Sequence, residues 1–532
     1  MKKRFSMMLS ICLVLCLLLS GCTPLLSFFN QGLVPYSQME YTRPDMVELS
    51  LVLDESCKAA LEETDIRKLE DAIWAFYDVY DQFYTNLCLA MIAHSQDLTD
   101  IYWEEEYAYC VSHSATTDAG LDKLYRSLAQ SPIRDVLEGD DYFGADYFDS
   151  FEGESIYDEQ LTQMLSQDAL LCSQYQSING QAAAVEYYSE EYFTQYGSQM
   201  AEIFLELVEL RQQIAAYVGY ESYPEFAYDF YHVRDYTPQQ ATSYLADIRA
   251  ELVPLYQQVS ASGFWDQELP ACGEDDTFRY VKSMAQNMGG VISDAFADME
   301  KAGVYDISYG EKKYATSFEV YLSYYYTPYI FLSPSASEYD KLSFAHEFGH
   351  FCTDYVTIGG NVHSVDVAEI FSQGMEYLSL LYAEDPGSLT QLKMADCLGT
   401  YVEQAAFASF EHQVYSLTGD ELTVEAIEQL YEEICIAYGL NTPQWDSRDY
   451  VCVPHFYEMP MYIISYVVSN DAALQIYEME VKQQGTGLAC LENNLYSTQP
   501  YILSFLEEAG LESPFATGRL MRVRQTLEAI LN

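Results

Sequence analysis

The sequence predicts a mostly α-helical protein carrying one small β-sheet. Three observations predict it. Long windows such as 57–93 space apolar residues three and four apart, the period of an amphipathic helix. Between Tyr305 and Leu332 that period gives way to FEVYLSYYY and PYIFL, runs of β-branched and aromatic residues that read as strands. At 532 residues and 49% apolar content, the chain can bury a large core spread over two or more domains. Charge narrows the function. Lys plus Arg number 25 against 82 Asp plus Glu, a net charge of −57. Phosphate would be repelled almost everywhere, which excludes a nucleic-acid binder and electrostatic docking on anionic lipid. Most of these acids read as a solvated surface, and the 49 Tyr as packing.

The elements follow in order. Lys2, Lys3 and Arg4 precede an uncharged apolar run, Ser6 to Leu19, and then Leu19-Ser20-Gly21-Cys22. A charged start, a short apolar stretch and small residues describe an export signal, too short to span a membrane comfortably. The final tetrapeptide resembles the bacterial lipoprotein cleavage motif. Residues 1–21 are therefore expected to be a signal peptide, with Cys22 lipidated. The mature chain would be anchored on the outer side of the cytoplasmic membrane, touching it only through that terminus. Residues 22–50, with Pro24, Pro35 and Pro44, read as a tether. Residues 51–195 read as an N-terminal helical domain and 196–532 as the catalytic domain. The acidic, aromatic stretch 138–159 lacks the D-x-[DN]-x-[DN]-G calcium pattern and reads as a solvated loop. Thr237-Pro238 starts a helix, with Thr as cap and Pro at the first helical position, and Pro254 bends it. Ten Cys remain beyond Cys22, none spaced C-x-x-C, so a thiolate zinc cluster is not expected; disulfides and buried free thiols both stay open.

Ser337-Glu338-Tyr339-Asp340 is an S-x-x-D capping pattern, and the helix it starts contains His346-Glu347-Phe348-Gly349-His350. Residues four apart share a helical face, so His346 and His350 can grip one Zn²⁺. Glu347, one step round, is placed to reach a zinc-bound water and act as general base. A catalytic zinc needs a third protein ligand. A second helix, from about Ser364 to Glu384, carries Glu369, 19 residues after His350, and Glu376 on the same face. Glu369 is assigned as third ligand and Glu376 as the carboxylate that orients a ligand histidine. His363, at the start of that helix, is the rival third ligand. Further on, His455 sits between Pro454 and Pro460 in a turn. Tyr462 and Tyr466, four apart, would share a helical face. His and Tyr donors there could stabilise the oxyanion formed on attack.

These residues resemble the thimet oligopeptidase / oligoendopeptidase F family of zinc metallopeptidases, its oligoendopeptidase F branch above all. The resemblance spans roughly 200–510. It runs through Arg211 and Val218-Gly219-Tyr220-Glu221-Ser222-Tyr223, Pro328-Tyr329-Ile330, the two metal motifs, Gln404-Ala405 with Phe407 and Phe410-Glu411, and Pro454-His455-Phe456 with Tyr462 and Tyr466.

The resemblance implies a prolate, gluzincin-like helical fold. A small sheet would lie beside the zinc helix, with zinc at the floor of a deep channel. It implies one Zn²⁺ per monomeric chain and endopeptidase action on short peptides, with His346, His350 and Glu369 as ligands and Glu347 as base. His455 with Tyr462 or Tyr466 would assist binding and the oxyanion. Two departures stand out: an export signal where familiar members are often cytosolic, and no evident Gly-rich loop between Tyr309 and Tyr326. The negative charge predicts poorer handling of acidic peptides than of basic ones. Two other classes stay open, a peptide-binding lipoprotein with a non-catalytic zinc site and a zinc carboxypeptidase.

Overall fold

The computed structural model describes residues 32–139, 143–153, 155–182, 185, 189–265, 267–357, 363–384, 386–441 and 445–531. The expected signal peptide and Cys22 lie outside the described residues. Helices of eight or more residues are numbered. Three long ones come first: α1 (Met46–Glu62), α2 (Ile66–Gln96) and α3 (Ile101–Ala129). Asp45, Asp65 and Asp100 cap them, each carboxylate accepting backbone N–H bonds from the first turn. Then come α4 (Glu159–Ala182), α5 (Ser198–Tyr217), α6 (Tyr223–Phe230), α7 (Pro238–Glu251), α8 (Val253–Ala261), α9 (Glu274–Met288) and α10 (Gly290–Ala302). Thr237 and Gln240 form a full capping box at the start of α7, as the Thr-Pro signal predicts. At Pro254 the helix does more than bend: it stops at Glu251 and restarts at Val253.

The predicted sheet is present. Strands β1 (Tyr305–Asp306), β2 (Phe318–Leu322) and β3 (Thr327–Phe331) lie in the order β1-β3-β2, with β1 parallel and β2 antiparallel to β3. Every residue of the central strand is buried. The sheet packs on α11 (Tyr339–Val356), which carries the H-E-x-x-H motif. Next are α12 (Val365–Tyr382), α13 (Leu389–Val414), α14 (Val424–Ala437), α15 (Ile464–Lys482), α16 (Thr486–Asn494), α17 (Ile502–Ala509) and α18 (Arg519–Leu531). Helix α12 is sandwiched between α11 and α15 and is buried on nearly every face, including Ser372, Gln373 and Glu376.

Two cores hold these elements. The larger runs from Leu89 to Leu527. The smaller runs from Leu53 to Phe151. The smaller core closes at Phe151; α4 lies against α3 and enters the larger core through Leu161, Leu171 and Tyr175. Helix α2 serves both: Leu69, Ile73 and Phe76 enter the smaller core, Leu89 and Ile92 the larger.

Three expectations need correction. The tether is anchored in its described part. Tyr36 lies on Tyr329 with ring centroids 4.6 Å apart, Tyr41 donates to Glu106 at 2.5 Å, and Arg43 pairs with Glu106 at 2.7 Å. Pro35 takes an extended backbone, but the aromatic and cationic side chains around it give that path something to bind. The described part of the stretch 138–159 is not a solvated loop. Phe143, Tyr147, Phe148 and Phe151 fill the smaller core, while Arg134 gathers Glu138, Asp149 and Glu152. At the start of α11, Ser337 Oγ accepts from Tyr339 N, but the Asp340 carboxylate turns back to Ser335, taking its N–H and its hydroxyl at 2.7 Å each. Seven of the ten cysteines from Cys57 to Cys490 are buried, and no disulfide is seen among the described residues.

Helices α11 and α12 touch at Gly349. A Cβ there would stand 2.5 Å from Ser372 Cα and 2.7 Å from the Phe371 carbonyl oxygen, both backbone atoms that no rotamer change can move. Gly349→Ala is expected to lower stability by about 2–3 kcal/mol through overpacking. It should also weaken metal binding by prising apart the helices that carry the candidate ligands. Denaturant midpoints and a zinc titration check both.

Candidate metal centre

His346 and His350 project from one face of α11, their rings 5.0 Å apart and at 76° to each other. Glu369 comes across from α12, where it is 1% exposed. Its two carboxylate oxygens stand 3.4 Å from His346 Nε2 and 3.7 Å from His350 Nε2. One donor atom from each residue lies within 4.8 Å of the others. Two imidazole nitrogens and a carboxylate oxygen converging on one point are the donor set of a His₂Glu zinc site, and a cation fits among them.

The groups behind these three fix their orientation. Glu376, also on α12, lies 2.8 Å from His346 Nδ1, so Nδ1 carries the proton toward Glu376 and Nε2 is turned to the site. Ser372 Oγ donates to Glu369 Oε2 at 2.8 Å, and Tyr462 Oη donates to its other oxygen at 2.5 Å. Lys393 of α13 is 1% exposed and stands 2.7 Å from Glu376 and 2.8 Å from Asp396. Asp396 also accepts from Tyr339 Oη at 2.9 Å.

The electrostatics are those of a buried cluster short of positive charge. Burial opposes the charged form of His346, yet the Glu369 and Glu376 carboxylates outweigh it and raise its pKa to about 9. His350 is pushed well below the ordinary histidine value, first by burial and then by His346. The Glu347 carboxyl is raised to about 7 by burial, against the pull of His346 and with the help of Glu369 and Glu376. Glu376 stays below the usual carboxylate range although burial opposes it, because Lys393 and His346 stabilise its charge.

The structure brings together most residues that the sequence singles out. His346, His350 and Glu369 converge, Glu376 lies behind His346, and Glu347 is buried beside them. His363 stands apart. Its Nε2 donates to the Ser497 carbonyl at 2.9 Å, its ring stacks on Phe371, and burial lowers its pKa to about 4. His455, Tyr462 and Tyr466 form one aromatic group with centroids 5.3–5.6 Å apart. His455 Nε2 and Tyr466 Oη share a 2.9 Å hydrogen bond, while Tyr462 reaches Glu369. Tyr462 does not share a helical face with Tyr466. It precedes α15, just after Met461 at φ 65°, and His455 lies in a short helix, Pro454–Glu458, rather than a bare turn. Sequence reading missed Lys393, Asp396 and Ser372. Ser372 was within reach, three residues after Glu369 on a helix; Lys393 gave no local signal.

Comparison with known proteins agrees on the fold. Residues 36–155 match the Peptidase M3 N-terminal domain. No curated protein matches the sequence significantly. Among solved structures, the chain is similar to a PZ peptidase A solved with an inhibitor (19% identity, TM-score 0.82, covering 93% of this chain and 99% of that one). It is also similar to a candidate oligoendopeptidase F from Bacillus anthracis str. Ames (20% identity, TM-score 0.80, 94% and 98%). An M32 carboxypeptidase from Deinococcus radiodurans R1 is more distant (14% identity, TM-score 0.53, 91% and 99%). The likeness extends over nearly the whole length of all three: this chain has the mostly helical, small-sheet fold that they share.

Proposed function

We propose that this chain is a zinc-dependent endopeptidase acting on short peptides. One observation carries the reading: His346, His350 and Glu369 converge within 4.8 Å while Glu347 lies buried beside them on the same helix. A zinc ion held by those three residues would supply a Lewis acid for the scissile carbonyl and lower the pKa of an attacking water. Glu347 is buried beside the two histidines, and that burial favours its protonated form, as suits a carboxylate that takes up a proton and releases it again. It takes the proton of the water that attacks the peptide carbon and delivers it to the amine that departs. Tyr466, hydrogen-bonded to His455, supplies an O–H for the oxyanion, and Tyr462 holds Glu369 in place. No side chain becomes acylated.

Access supports the short-peptide reading. The His346 and His350 side chains are 18% and 17% exposed and Glu369 only 1%, so an extended chain can reach them where a folded surface cannot. The match to the Peptidase M3 N-terminal domain and the likeness to peptidase structures support the same class. The distant carboxypeptidase neighbour favours one rival, removal of single C-terminal residues. The decisive assay uses protein lacking residues 1–22 and internally quenched peptides of about eight residues, chelated and zinc-restored. Internal cleavage that vanishes with chelator and returns with zinc is the expected result. Loss of one C-terminal residue would favour the carboxypeptidase, and no cleavage with zinc bound a peptide-binding role. Glu347→Ala should bind zinc normally yet lose about 10³-fold or more in kcat, whereas His346→Ala should lose metal and activity together.

Lys393 offers a test of the metal site that does not depend on turnover. Lys393→Met strips Glu376 of its cation, so Glu376 would hold its negative charge less firmly and accept less strongly from His346. Zinc affinity is expected to fall about 10–100-fold, measured by competition with a chromogenic chelator. Lys393→Met with Asp396→Asn removes the stranded second carboxylate and should recover stability but not affinity.

We also place the protein on the outer face of the cytoplasmic membrane, held by lipid on Cys22. The support is the charged, apolar and small-residue order of residues 2–22. Cys22→Ala should abolish incorporation of labelled fatty acid and shift the protein out of the membrane fraction; unchanged labelling would overturn the assignment.

A further inference from the structure

The segment 454–466 bears His455, Tyr462 and Tyr466, yet between Glu458 and Ile464 it has no regular structure, and Met461 sits at φ 65°. Backbone groups in such a buried stretch need partners. They come from residues far away in sequence. Arg211 of α5 donates Nη1 to the Phe456 carbonyl at 2.9 Å and Nη2 to that of Tyr457. His232 Nε2 donates to the Pro460 carbonyl at 2.9 Å, and Glu411 accepts from Met461 N at 2.6 Å.

Arg234 is connected differently. Its Nη1 donates to the Met461 carbonyl and its Nη2 to the Ser465 hydroxyl, both at 2.8 Å, so it holds the backbone before Tyr462 and a side chain after it. Its Nε lies 3.2 Å from both oxygens of Asp366, which stands in the first turn of α12, three residues before Glu369. Ser465 Oγ closes the ring by donating to Asp366 at 2.5 Å. The Arg234 and Asp366 side chains are both 0% exposed, and Arg234 lies over the Tyr228 ring at 4.3 Å. One guanidinium therefore binds the helix that presents Glu369 and the segment that presents Tyr462, and Tyr462 donates directly to Glu369. The backbone accepts strain for this. Val233, a β-branched residue, is held at φ 49°, between His232 and Arg234, which both face the segment.

We infer that Arg234 is a positioning residue: it sets the separation of Glu369 and Tyr462, and through it both metal affinity and the placement of Tyr466 and His455. The inference rests on the peptidase reading above. A guanidinium has five N–H donors in a fixed plane, enough for Asp366, Met461 and Ser465 together. Lysine keeps the charge but cannot span all three.

The test uses the whole mature chain loaded with zinc, comparing wild type, Arg234→Lys and the milder Ser465→Ala. Arg234→Lys is expected to lose about 100-fold in kcat, as a misplacement near 1 Å would cause, with KM changed by less than about three-fold and zinc affinity lowered about ten-fold. Ser465→Ala should lose about five-fold or more in kcat at an unchanged melting temperature. A folded Arg234→Lys enzyme with wild-type kcat and zinc affinity, only melting earlier, would overturn the inference and leave Arg234 a mere packing residue. If Arg234→Lys does not fold, Ser465→Ala decides in the same way: lowered kcat at unchanged melting supports the inference, and wild-type kcat overturns it. Should the wild type cleave no peptide, the peptidase reading fails on its own. Zinc affinity then remains the readout, weakened in the variants if Arg234 places Glu369 and equal to wild type if it does not.

Discussion

The backbone contact between α11 and α12 at Gly349 is the constraint on which the site depends. Two helices that meet without an intervening side chain lie close enough for a carboxylate on one to reach imidazoles on the other. The i, i+4 spacing then places His346 and His350 together, and the seven-residue spacing of Glu369 and Glu376 presents one oxygen donor in front of His346 and another behind it. Any wider spacing would keep both helices and lose the convergence. The sheet beneath α11 and helix α15 above α12 confine the pair from either side.

That confinement makes charge the central energetic problem of the interior. A chain of net charge −57 has many acids to spare for its surface, yet it also buries Glu347, Glu369, Glu376, Asp366 and Asp471. They are compensated in two ways. Arg234 and Arg519 neutralise Asp366 and Asp471 outright, and Lys393 does so for Glu376. Glu347 and Glu369 have no Lys or Arg partner; burial raises the pKa of both, against the pull of His346. Buried negative charge is thus left without a dedicated cation where two imidazoles converge with a carboxylate, and a divalent cation is the species that would complete that cluster.

Much of this was legible in the sequence because it is local. The helical period, the Thr237-Pro238 start, the strands at 318–322 and 327–331, and the two motif helices each follow from a few neighbouring residues. The convergence of Glu369 with the histidines was legible as well, since one turnaround of 19 residues admits few arrangements. What escaped was long-range compensation. Lys393 and Arg234 act on groups 17 and 132 residues away, and nothing in their own surroundings marks them. The tether failed for a related reason. Pro35 and Pro44 signal an irregular path truthfully, but whether such a path is free depends on Tyr329 and Glu106, elsewhere in the chain. Tyr462 and Tyr466 were expected on one helical face, and a single left-handed residue, Met461, sets them apart along the backbone while leaving their rings in contact.

Helix α2 has a mechanical consequence. At 31 residues it is a rod of roughly 46 Å, seated at one end in the smaller core and at the other in the larger. A hinge between the two bodies would have to buckle that rod, breaking consecutive hydrogen bonds in its middle, so the N-terminal helices cannot swing like a door. They and the body below deform as one beam. Force applied to the N-terminal helices, or a truncation within them, is therefore transmitted along α2 to Leu89 and Ile92, into the core that supports the candidate site.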